Sequence, residues 1–215
     1  MSIRTEEDLI DKIAEERIWR VKEISQMKNL ITTPSITSEK KSVLYRSFLA
    51  LLYAHWEGFV KKTGTYYLEF ISNQRIPLKE LQNNFVTLCL KGKIDIATKS
   101  KKYSTFDHLT DILIDKADNA LNLPYKKVVN TESNLSSSVL KEICWCLGVD
   151  YTFFESKEKF IDSHLLARRN HIAHGEELKV DENDIIEIID EVLILLDILR
   201  SEIENSIHLK RYRKA

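Results

Sequence analysis

Glycine and proline are scarce in this chain, at five and three of 215 residues. A loop-rich all-β domain needs many tight turns, so the shortage argues against that class and for long helices. Cysteine is rarer still and odd in number, with Cys89, Cys144 and Cys146. Three irregularly spaced thiols make no disulfide framework, and Cys144-Trp145-Cys146 lacks the second ligand pair of a structural zinc site. Buried free thiols in a reducing compartment are the expectation. The first residues show no apolar signal segment, and apolar runs such as Val192 to Leu196 fall far short of the ~20 residues that span a bilayer. A cytoplasmic protein with no membrane role is expected. An excess of one charge is missing as well: 32 basic side chains face 33 acidic ones, for a net charge of −1. Without a bulk cationic field, any nucleic-acid binding must be local.

What the chain does have is helical periodicity. Thr5 followed by Glu6, Glu7 and Asp8 reads as a capped first turn, and Ile10, Ile13, Ile18, Val21 and Ile24 carry a helix to about Leu30. A polar break at Thr32-Thr33-Pro34-Ser35 precedes a second helix, capped by Ser38 or Ser42 and reaching about Ile71. Its apolar residues cover more of the circumference than one surface stripe, so packing on two sides is expected, against the core and another subunit. Pro77 suits the first turn of a third helix from Leu78 to Leu90, ending near Gly92, with a basic connection after it that holds Lys91, Lys93, Lys99, Lys101 and Lys102. Ser104 or Thr105 opens a short amphipathic segment, and 122–134 reads as irregular. Ser136 to Leu147 is helical and stops at Gly148. Ser156 caps a segment that runs into Arg168-Arg169, and Asp181 or Asn183 caps a last helix with a clean stripe from Ile185 to Leu199. No repeat or linker interrupts this pattern. The expectation is a single all-α domain over 1–215: an N-terminal helix and connection (1–41), a core (42–200) and a basic C-terminal tail (201–215).

The most informative stretch is Arg169-Asn170-His171-Ile172-Ala173-His174-Gly175, near a helix C-terminus. One permanent cation and one group that titrates near neutrality are a minimal kit for phosphodiester cleavage. Five residues advance a helix by roughly 140°, so Arg169 and His174 do not share a face of a regular helix. Either the helix unwinds at Ala173-His174-Gly175, or two chains meet so that four groups converge. Asn170, four residues before His174, can orient the imidazole or bind a phosphate oxygen. The bland alternative is a histidine and an arginine that merely complement the helix dipole and pair with Glu176 or Glu177.

The Arg-x4-His arrangement resembles the signature of the HEPN superfamily (higher eukaryotes and prokaryotes nucleotide-binding), small α-helical proteins many of which are endoribonucleases. The string Leu165-Leu166-Ala167-Arg168-Arg169-Asn170-His171-Ile172-Ala173-His174-Gly175-Glu176 looks like the full catalytic segment. Leu51 to Lys61 and Ser133 to Leu140 are similar to segments of a bacterial HEPN-like endoribonuclease branch, and the likeness spans roughly Ser42 to Leu199. The resemblance implies an HEPN-like helical bundle with additional short helices, dimeric through the motif face. It also implies an RNA substrate, possibly tRNA, cut without metal to 2′,3′-cyclic phosphate and 5′-hydroxyl ends. Arg169 would neutralise the scissile phosphate and His174 would serve as general base or acid. A toxin or antiviral-defence role, with an antitoxin or other defence-system protein as partner, goes with that reading. The alternative is a non-catalytic HEPN-like module that binds RNA or protein.

Supporting candidates are weaker. Glu57 pairs with Lys61 at four-residue spacing, or stands behind Arg169 or His174 if the second helix lines the cleft. His171 lies inside the motif. His171, His174, Glu176 and Glu177 could be offered as metal ligands, but three-residue histidine spacing without a defined third ligand does not make a site, so neither metal nor cofactor is expected. Lys99, Lys101, Lys102 and Arg168 are candidate RNA contacts. His55 reads as a core histidine, and the tyrosines of the second helix as packing rather than a base-stacking platform.

Overall fold

The computed structural model describes residues 2–31, 37–100 and 102–214. Among these there are eight α-helices, a π-helical segment, a 3-10 turn and two isolated bridges, but no strand. Three long helices form the frame: α1 (Glu6–Ile31), α2 (Ser38–Asn73) and α8 (Glu182–His208), each packed on the other two. At 1.5 Å per residue α2 is about 54 Å long, and it carries the fully buried Trp56, Phe59 and Tyr67. Around the frame lie α3 (Asn83–Ser100), α4 (Tyr103–Ile114), α5 (Ser137–Leu147), α6 (Thr152–Glu155) and α7 (Arg168–Ala173). One buried apolar cluster extends from Ile3 to Tyr212, and none of the described helices is long and apolar enough to cross a membrane.

The helix boundaries follow from local chemistry. Thr5 Oγ1 accepts from the Asp8 amide at 3.0 Å, and the Asp8 carboxylate accepts from the Thr5 amide at 3.0 Å, so α1 starts on a reciprocal cap. Ser136 caps α5 through the Val139 amide. Gly148 ends α5 at φ 63°, in the left-handed region. Asp181 and Asp184 form a capping box at the start of α8.

The middle of the chain departs from expectation. Leu78–Glu80 is a 3-10 turn that follows Pro77, and α3 begins at Asn83, not Leu78. It also runs straight through Gly92, where an added Cβ would meet nothing within 4 Å. A helix-interior glycine costs about 1 kcal/mol, but Phe85, Leu88, Leu90 and Ala97 are buried along α3, and burial of that kind outweighs the local penalty. Lys91, Lys93 and Lys99 therefore ride on a helix, not in a connection. Lys101 and the polar break at 32–35 lie outside the described residues. Ser156 terminates α6 instead of capping a new helix, and Phe160–Ala167 is π-helical, running without a break into α7. Asp162 in that segment accepts from the Ser137 amide at 2.7 Å and from its hydroxyl at 2.6 Å, which ties it to the start of α5.

Residues 201–208 complete α8, and the chain beyond it is docked. Tyr212 is buried and meets Phe70 edge-on, its carbonyl accepts from Gln82 at 3.0 Å, and Arg213 pairs with Glu80 at 2.7 Å. His55 is buried between α1 and α2, its Nε2 2.9 Å from a Glu23 carboxylate oxygen but without the alignment of a hydrogen bond. Cys144 is buried and Cys89 half-buried, and burial pushes their thiols up to about 12 and about 11.

Candidate functional site

The π-helical segment delivers Arg168 and Arg169 to opposite fates. Ile161 and Leu165 anchor it in the core. Beyond them Arg168 turns toward α8, where its Nη2 meets Asp184 Oδ2 at 2.9 Å. That guanidinium holds the Asp184 carboxyl below the usual carboxylate range. Arg169 turns toward α2 instead. Its guanidinium carbon sits 3.9 Å above the ring centroid of Tyr53, and Nη2 donates to the Ser133 carbonyl at 2.9 Å, with Asn134 Oδ1 at 3.4 Å. All of these partners are neutral, and among the described residues no carboxylate lies within ion-pair distance of Arg169. Its Nε is buried with no hydrogen-bond partner.

The loop that receives Arg169 is held from behind. Glu132 and Ser133 both adopt left-handed backbone, at φ 53° and 61°, which costs non-glycine residues about 1 kcal/mol each. The Leu135 amide donates to the Tyr53 hydroxyl at 2.7 Å, and Thr131 hydrogen-bonds the Glu57 carboxylate. Burial pushes the Tyr53 hydroxyl above its usual range, so the ring stays neutral. Glu57 also takes Lys61 at 2.9 Å. Glu57 thus makes the helix pair and, through Thr131, a contact with the loop beneath Arg169, and among the described residues no hydrogen bond or ion pair joins it to Arg169 or His174.

His174 lies past the end of α7. Ala173 is the last helical residue, His174 has φ −85° and ψ 3°, and Gly175 follows at φ 77°. The helix thus unwinds where glycine permits it. His174 is exposed, and among the described residues nothing partners its imidazole. Its backbone amide donates to the Asn170 carbonyl at 2.9 Å, but no hydrogen bond joins the Asn170 amide to the imidazole. His171 contacts the Glu176 carboxylate through Nδ1. The next turn is tied to α2: Arg46 Nη2 donates to the Glu176 carbonyl at 2.9 Å. Lys99 and Lys102 are exposed on the α3–α4 hairpin, whereas α7 packs on α2. Among the described residues no three His, Cys, Asp or Glu side chains converge as a metal site would require.

Beside the motif, α2 and Ile172 bound a groove of about 670 Å³ lined by Val43, Arg46, Ser47, Ala50, Leu51 and Ala54. Val43 is 68% exposed and Leu51 38%. Arg46 escaped the sequence reading, and Tyr53 entered it only within the Leu51 to Lys61 segment and as packing. Periodicity put both on the helix, but only their place on the α2 face that meets α7 gives them a role.

Fold and site together define a helical bundle with an arginine on α7 that no carboxylate pairs among the described residues, and an exposed histidine just past that helix's end. The chain belongs to the RiboL-PSP-HEPN family, whose model matches residues 15–205, and so to the HEPN superfamily. The match reaches into α1, further toward the N-terminus than the motifs alone carried it. No curated protein and no solved structure matches the chain. Membership implies ribonuclease as the coarse functional class and RNA as the substrate.

Proposed function

We propose that this chain is a metal-independent endoribonuclease whose catalytic residues are Arg169 and His174, with Asn170 assisting. The observation that carries the reading is the electrostatic state of Arg169. Arg168 is neutralised by Asp184, whereas Arg169 is stacked and hydrogen-bonded by neutral groups alone. A cation oriented by the protein but not discharged by it is what a phosphate oxyanion needs. In this reading His174 takes the proton of a ribose 2′-hydroxyl, whose oxygen attacks the adjacent phosphorus. The P–O5′ bond breaks, and the leaving 5′ oxygen takes up a proton. The products are a 2′,3′-cyclic phosphate and a 5′-hydroxyl end.

The exposed groove beside Ile172 supports assembly of two copies through the motif face, each adding its own Arg169 and His174 to one cleft. Exposed Lys99 and Lys102 are assigned to RNA phosphates outside the cleft, together with Lys101 from its sequence alone. Arg168 is left a lesser part because Asp184 already holds it. tRNA as substrate, and a toxin or defence role with an antitoxin or similar partner, complete the proposal.

The test is cleavage of total tRNA in EDTA by wild type, Arg169→Ala and His174→Ala. Cutting that persists in chelator and falls at least about a hundredfold in both variants, with unchanged circular dichroism, is the expected result. Equal activity in all three proteins overturns the assignment.

A further inference from the structure

Arg46, Ala50, Tyr53 and Glu57 follow one another on α2 at steps of four, three and four residues, so they form a single stripe within about 60° of the helix circumference. Three of the four hold the motif or the loop that supports it. Tyr53 lies under the Arg169 guanidinium at 3.9 Å, and its hydroxyl accepts from the Leu135 amide. Glu57 hydrogen-bonds Thr131 at the start of the same loop, whose Ser133 carbonyl accepts from Arg169. Arg46 donates to the Glu176 carbonyl, two residues after His174. Ala50, between them, is small and lines the groove beside Ile172.

We infer that this stripe of α2 is a jig for the proposed reaction, with Tyr53 a positioning residue for Arg169 and Arg46 a positioning residue for His174. The inference rests on the reading of Arg169 and His174 as the catalytic pair. The two residues need separate supports because α7 ends between them: Arg169 is still helical, while His174 sits on unwound backbone. No single helix fixes their relative placement. A rigid third element that touches both sides of the break does. Arg46 and Tyr53 are two helical turns apart on that element, about 10.5 Å along its axis. Arg46 also keeps its own charge unspent, since Nη2 meets only a carbonyl and Nε is buried without a partner.

Full-length Tyr53→Phe, Tyr53→Leu, Arg46→Lys and Arg46→Met are compared with wild type in two measurements. In the first, NMR follows the Arg169 side-chain Nε–H and the His174 ring protons. The ring current of Tyr53 shifts the Arg169 signal in wild type and in Tyr53→Phe, and the shift is lost in Tyr53→Leu. The His174 ring signals move in Arg46→Met and return toward wild type in Arg46→Lys. In the second, RNA cleavage is resolved into kcat and KM. Tyr53→Leu and Arg46→Met lower kcat roughly ten- to hundredfold with KM changed far less, as small misplacement of reacting groups does, and the two conservative variants recover most of it. Should Tyr53→Leu fail to fold, Tyr53→Met replaces it. Unshifted Arg169 and His174 signals in the folded Leu (or Met) and Met variants overturn the inference. So does wild-type kcat in those variants when Arg169→Ala and His174→Ala are inactive, and that outcome leaves the proposed function standing. If wild type itself cuts no RNA, the proposed function falls, and the NMR comparison alone decides whether α2 positions the two side chains.

Discussion

The Arg168 guanidinium lies 2.9 Å from the Asp184 carboxylate, while Arg169, one residue further, stacks on Tyr53 and meets only neutral oxygens. Residue type and position in sequence do not distinguish them; surroundings do. Substitution therefore affects the two differently. Asp184 is 39% exposed, so solvent screens its pair, and Arg168→Ala is expected to cost about 0.5–1 kcal/mol in urea unfolding while leaving cleavage within a few-fold of wild type. Arg169→Ala is expected to abolish cleavage with the fold retained. The Asp184 carboxyl is held low by Arg168, so the contribution of the pair is present above the usual carboxylate range and fades as pH falls through it.

Among the elements, the α1–α2 contact holds the chain's buried histidine. His55 is surrounded by Glu23, Arg20 and Trp19, and Arg20 is itself paired with Glu16. Burial lowers the His55 pKa, with Arg20 adding to the effect and Glu23 opposing it. The folded protein thus refuses a proton that the unfolded chain takes up near about pH 6.5. The contribution of His55 to stability is present above that range and is lost as pH falls through it. Thermal unfolding should shift to lower temperature between about pH 7.5 and about pH 5.5, with a shallower slope in His55→Gln; an unchanged slope assigns the loss to other groups. At the end of α5, Gly148 is left-handed, and an added Cβ would lie 3.0 Å from Asn84 Nδ2. Gly148→Ala should destabilise by about 1–2 kcal/mol in denaturant titration.

Legibility in the sequence follows the same division. The starts of α1, α5 and α8 and the end of α5 were readable because each carries its own cap within four residues, at Thr5, Ser136, Asp181 and Gly148, whereas the end of α8 lies at His208, inside what reads in sequence as the basic tail. The start and end of α3 were not readable, since burial of Phe85 and Ala97 overrides Gly92, and burial is a long-range property. For the site, Arg169 and His174 were visible as a spacing, and unwinding at Gly175 was one of two anticipated routes. The supports of Arg169 come from residues 36 positions before it, at Ser133, and far earlier at Tyr53, so no local pattern announces them.

Considered as a whole molecule, the structure leaves one flank of the motif uncovered. Val43 and Leu51 are exposed in the groove that Ile172 borders, which is the surface assigned to a second copy. Leu51→Glu places a charge there without entering the core and should shift sedimentation from dimer to monomer, with cleavage lost in parallel. A wild-type protein that sediments only as monomer at assay concentration removes the shared cleft.

Both described ends of the chain meet at one end of α2. Ile3 hydrogen-bonds Glu69 and Asn73, the Arg4 carbonyl accepts from Gln74, and Tyr212 packs on Phe70. The motif touches the same helix near Arg46 and Tyr53, at least about 24 Å away along the axis. A label attached at Ser2 or Lys214, both exposed, would therefore sit far along α2 from the surface proposed to face RNA and would leave that surface clear.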